Sequence, residues 1–120
     1  MVEDKSIIDI RDALNRALGD VAFLKMMFDE FVQTIPEALG SIQMAIEKGD
    51  MVQLSKSAHQ FKGSSANLGA KGISEAAFGL ERIGKSGNGD DAQNAYEHLQ
   101  AAVNVFRQEL SQIDWSFLSK

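Results

Sequence analysis

The chain has 120 residues, 44% hydrophobic and 24% charged, which suffices for one buried core in a single domain expected to occupy 1–120. A formal net charge of −5 and a pI near 4.9 argue against general nucleic-acid binding, which needs a basic footprint, and the absence of cysteine excludes a disulfide scaffold, a cysteine zinc finger and a dithiol redox motif. Met1, Val2, Glu3 and Asp4 open the chain acidic rather than basic, and no apolar run reaches signal-peptide or membrane-span length, so a cytoplasmic protein without membrane insertion is expected.

Glycine–aspartate pairs divide the chain into helices. Glycine relieves the left-handed turn past a helix end, and aspartate accepts from the free amides that start the next one. Gly19-Asp20, Gly49-Asp50 and Gly89-Asp90 all fit, and Asp50 with Gln53 and Asp90 with Gln93 have capping-box spacing. In chain order, Ile10, Leu14, Ala17 and Leu18 predict a short amphipathic helix, and Val21, Leu24, Phe28, Phe31 and Ile35 a second. Pro36 marks either a boundary or a kink, after which Leu39, Ile42 and Ile46 continue the apolar face to Gly49. The helix opened by Asp50 stops at Gly69, and Ile73, Ala77 and Leu80 define another that runs to about Lys85. SGNGDD is a polar turn, and Leu99, Val103, Phe106, Leu110 and Ile113 form the last seam. The expected architecture is all-α, an antiparallel up-and-down four-helix bundle with a short N-terminal capping helix. Phe23, Phe28, Phe31, Phe61, Phe78 and Phe106 are assigned to its core and contact surface. Trp115 either covers the bundle end or marks the start of a linker.

The helix after Asp50 carries the chemistry. Leu54, Ala58, Phe61, Ser65 and Leu68 recur at alternating intervals of four and three, so they form one buried seam. At about 100° per residue His59 points roughly 130° away from that seam, toward solvent. Around it lie Val52, Ser55, Lys56, Lys62, Gly63 and Ala66, nearly all small or basic, the surface a partner would meet. Lys62 and Gly63 are one turn from His59, one bringing positive charge and the other empty space. A mid-helix glycine costs about 1 kcal/mol relative to alanine, so Gly63 calls for a reason other than helix stability, and close approach of another molecule is one.

The segment AHQFKGSSANLGA resembles the motif of histidine-containing phosphotransfer domains, the intermediate carriers of multistep phosphorelays. The likeness extends to FDEFVQTIPEALGSIQMAIEKGD, similar to the pair of helical segments that precedes the phosphorylated helix in that family, and covers about 7–110. The resemblance implies that His59 is phosphorylated, that Lys62 stabilises charge on the phosphoryl group and that Gly63 admits the partner. It also implies that a hybrid sensor kinase and response-regulator receiver domains are the partners, that a receiver's aspartyl phosphate and Mg2+ serve the reaction, and that the group moves on to a second receiver.

The chain has no glycine-rich phosphate loop and no kinase motif, so it is not expected to make phosphohistidine from ATP unaided, and the resemblance implies a phosphocarrier with no cofactor of its own. An imidazole with a pKa near 6.5 is largely neutral in the cytoplasm and offers one lone pair to phosphorus. A zinc centre is not expected, because His98 is the only other histidine and is assigned to the solvated surface. The competing reading is a scaffold that binds receivers without chemistry. A bundle that uses its apolar faces internally is expected to be a monomer.

Overall fold

The computed structural model describes residues 8–118; the expected start of the domain, including Ile7, and its last two residues lie outside them. The described residues form α1 (Ile10–Arg16), α2 (Val21–Lys48), α3 (Met51–Asn67), α4 (Lys71–Ser86), α5 (Ala92–Ser111) and α6 (Trp115–Leu118), with one isolated bridge between Ile8 and Ala70 and no strand.

Two of the three predicted starts form as expected. Asp20 accepts from the Phe23 amide and Asp50 from the Gln53 amide, each at 3.0 Å, and Gly49 takes the left-handed conformation at φ +68°. The third start moves by one residue. Asp91 occupies the position before α5 without a side-chain capping bond, and the Asp90–Gln93 box does not form, because the Asp90 amide is drawn into the preceding turn by the Asn88 side chain at 3.0 Å.

Pro36 lies inside α2, which runs unbroken for 28 residues. A proline interior to a helix costs about 3 kcal/mol through its lost amide and ring clash. Leu24, Phe28, Phe31 and Ile35 before it and Ile42 after it are buried on one face, and burial stabilises each by about 1.5–3 kcal/mol. The continuous face therefore outweighs the local penalty, and the two helical segments expected before α3 are one.

Leu18 departs from expectation. Its spacing places it on the apolar face of the first helix, yet α1 ends at Arg16 and Leu18 stands 93% exposed at φ +58°. The reversal into α2 takes two successive left-handed residues, Leu18 and Gly19, and the Gly19 amide closes onto the Leu14 carbonyl at 2.9 Å.

α3 packs on α4, α4 on α5, α5 on α2 and α2 on α3, so the four long helices enclose one core, while α1 and α6 pack on α2. Phe31 stacks on Phe61 at 5.7 Å and meets Phe106 edge-on at 5.5 Å. Trp115 packs against Phe28 at 5.9 Å, covering the core there. Phe23 and Phe78 remain exposed on the surface. Leu99, Val103 and Phe106 are buried as the last seam predicts, but Leu110 is half-buried and Ile113 lies past the end of α5. No helix among the described residues is long and apolar enough to cross a membrane.

Gly84 sets the α3–α4 spacing. A Cβ placed there would lie 2.6 Å from the Ser55 amide nitrogen and 2.8 Å from the Met51 carbonyl oxygen, and neither backbone atom can swing aside. Gly84→Ala is expected to lower stability by about 1–3 kcal/mol, the usual cost of overpacking, as read from urea denaturation. An unchanged urea midpoint would contradict the close packing on which the site depends.

Candidate functional site

The seam of α3 is buried as its spacing predicts: Leu54, Ala58, Phe61, Ser65 and Leu68 are all in the core, and the Ser65 hydroxyl donates to the Phe61 carbonyl at 2.7 Å. His59 therefore faces outward, with 64% of its side chain exposed. Its ring is not loose. Nδ1 lies 2.9 Å from Oε2 of Glu81, a residue of α4 that is only 2% exposed.

Three basic groups converge on this buried carboxylate. Lys62 brings its ammonium to 2.8 Å from Oε1, and Lys85, one turn along α4, lies 3.1 Å from Oε2, the oxygen that also meets His59. The Lys62 ammonium does most to lower the Glu81 pKa; burial pushes it up, and Lys85 and His59 add to the lowering, so that it falls to about 2.

An ionised carboxylate only accepts, so Nδ1 of neutral His59 carries the proton and Nε2 holds the free lone pair. This tautomer follows from the partner's charge. The result is an exposed imidazole, fixed in orientation from below, with the Nε2 lone pair uncommitted.

The surrounding residues fall into two groups. Ser55, Lys56 and His59 border an open depression of about 380 Å³ floored by Glu81 and edged by Lys85. Lys62, Gly63 and Ala66 border an apolar depression of about 400 Å³ closed by Phe78, over whose ring Lys62 lies at 4.9 Å. Gly63 and Ala66 are exposed, and a Cβ at Gly63 would have no neighbour within 4 Å. Val52 is 69% exposed and borders neither depression. His98 is exposed on α5, and no cluster of three metal-binding side chains occurs among the described residues.

Sequence reasoning missed Glu81 and Lys85. A signal was present: Ile73, Ala77, Leu80 and Gly84 trace the inner face of α4, and Glu81 occupies that same face, where a carboxylate is costly unless paired. Its partner could not be read without knowing which turn of α3 lies opposite.

Because the folded pKa of Glu81 is depressed from 4.5 to about 2, its ionised form contributes stability that is fully present above pH 4.5 and is lost as the pH falls through about 2. Urea denaturation between pH 5 and 2 is expected to show a steeper loss in the wild type than in Glu81→Gln. Parallel slopes would contradict the ionised assignment.

Comparison with known proteins gives two matches. The family model described as Hpt domain matches residues 26–114. No curated protein matches the chain. Among solved structures, histidine-containing phosphotransfer protein B (HptB) from Pseudomonas aeruginosa PAO1 superposes with a TM-score of 0.79 at 26% identity, over 92% of this chain and 100% of that one.

Proposed function

The chain belongs to the Hpt domain family, and on that premise we propose that it is a phosphorelay intermediate in which His59 accepts a phosphoryl group from the aspartyl phosphate of one receiver domain and passes it to the aspartate of another. The observation that carries this reading is the exposed His59 ring held through Nδ1 by the ionised Glu81, which leaves Nε2 as nucleophile.

In the forward step the Nε2 lone pair forms the N–P bond while the P–O bond to the partner's aspartate breaks, and the electron pair leaves with that carboxylate. The ring keeps its Nδ1 proton and gains positive charge, which the Glu81 carboxylate faces at 2.9 Å. The reverse sequence discharges the group onto the next aspartate. Phosphoryl transfer asks mainly for alignment and charge neutralisation. His59 supplies the aligned nucleophile, the lysines gathered on Glu81 supply positive charge, and Gly63 leaves room for the receiver's loops. Val52, Ser55, Lys56 and Ala66 complete the surface the receiver meets. The Mg2+ belongs to the receiver, and the chain itself is a carrier without ATP-dependent kinase activity.

The accompanying architecture is one domain, an antiparallel up-and-down bundle of α2 to α5 with α1 capping one end, supported by the closed ring of contacts among the four long helices. A cytoplasmic monomer that receives its phosphoryl group through a hybrid sensor kinase fits this role.

Transfer of labelled phosphate from a panel of Mg2+-loaded, phosphorylated receiver domains tests the reading. Acid-labile, alkali-stable label on the wild-type chain supports a phosphohistidine carrier. Receiver binding without label in either direction would leave a scaffold in its place.

A further inference from the structure

Lys62 and Lys85 both neutralise Glu81, but the structure makes them unequal. Lys62 has a side chain only 29% exposed, pinned between Oε1 and the face of Phe78. Oε1 is fully buried, and Lys62 meets it as an ion pair rather than an aligned hydrogen bond, with no other partner among the described residues. If Lys62 left, a buried anionic oxygen would have nothing against it, which is the costly way to break a buried pair. Lys85 is 67% exposed and shares Oε2 with His59, so its departure leaves that oxygen still satisfied by the Nδ1 proton.

Position points the same way. The Lys85 ammonium and Nδ1 of His59 sit on one oxygen at 3.1 and 2.9 Å, so they are no more than 6.0 Å apart. Lys85 edges the open depression that His59 also borders, whereas Lys62 borders the apolar one beside it. Lys56 borders the same depression as Lys85 but makes no ion pair with Glu81.

Resting on the assignment of His59 as the phosphoryl acceptor, we infer that Lys85 is the cation that swings from Glu81 onto the phosphoryl oxygens, while Lys62 remains the fixed counter-ion of Glu81. The labour that a single lysine on α3 was expected to perform is divided between two helices. The arriving phosphoryl group brings about two negative charges, and a mobile ammonium one side-chain swing away meets them without uncovering the carboxylate. No bond other than N–P and P–O changes; the lysine exchanges one anionic partner for another.

The test compares wild type, Lys85→Met, Lys85→Arg and Lys62→Met as full chains phosphorylated with phosphoramidate, a small donor that needs no docking surface. Folding is monitored by circular dichroism and urea midpoint. Lys85→Met is expected to slow His59 phosphorylation by about 10-fold or more while lowering the urea midpoint far less than Lys62→Met does, and Lys85→Arg to recover most of the rate. In the phosphorylated chain the 31P resonance of Lys85→Met should titrate at higher pH than wild type, because a cation no longer favours the dianion. Lys62→Met is expected to lower the urea midpoint and to leave the 31P titration at its wild-type position. A shifted 31P titration in Lys62→Met with none in Lys85→Met would overturn the division of labour while leaving the phosphocarrier reading intact. A wild-type chain that takes no phosphoryl group from either phosphoramidate or a receiver would remove that reading, and this inference with it.

Discussion

His59→Gln is expected to abolish phosphorylation, to below about one-thousandth of the wild-type rate, because no other side chain at the site offers a nucleophilic nitrogen aligned toward solvent. The fold should survive. His59 is 64% exposed, and glutamine keeps an N–H donor for the Glu81 carboxylate, so the thermal midpoint should move by no more than roughly 3 °C. Label incorporation and a thermal melt on the same preparation check both halves. Acid-labile label retained by the variant would place the phosphoryl group on a residue other than His59.

Gly63→Leu carries the second large effect, and its two consequences have opposite signs. The position lies mid-helix, and nothing within 4 Å would meet a Cβ, so leucine fits and should stabilise α3 by about 0.5–1 kcal/mol through lower backbone entropy loss. Transfer from a receiver should nevertheless fall about 100-fold or more, since a branched side chain one turn from His59 holds the aspartyl phosphate out of line. Phosphorylation by a small phosphoramidate should stay near the wild-type rate. The contrast between donors separates obstruction of the partner from damage to the nucleophile, and undiminished transfer from a receiver would remove this account of the glycine.

Much of the framework was legible because it rests on local rules. The Asp20 and Asp50 caps, the α3 seam and the outward direction of His59 follow from spacing along one helix, and all three are present in the structure. Predictions missed where a longer range or a competing local bond decides. Asn88 captures the amide of Asp90 and shifts the start of α5, and burial along both halves of α2 carries the helix through Pro36. Leu18 is an apolar residue spent on a left-handed turn that glycine usually fills.

The site shows the same division. His59, Lys62 and Gly63 share one helix and are visible as a pattern, whereas Glu81 stands 22 residues from His59 and meets it only because Gly84 lets α4 approach α3 closely. In the proposed mechanism that carboxylate selects Nε2 as the reacting nitrogen of His59. A reading of the motif helix alone identifies the histidine but leaves its tautomer open.

The most direct measurement is therefore the attachment point itself. In the phosphorylated chain, Nε2 is bonded to two protonated ring carbons and Nδ1 to only one, so proton–phosphorus correlation spectra distinguish them. The account predicts a single phosphoramidate signal that correlates with both ring protons of His59 and is missing from His59→Gln. A signal that correlates with one ring proton alone would place the phosphoryl group on Nδ1 and contradict the role assigned to Glu81.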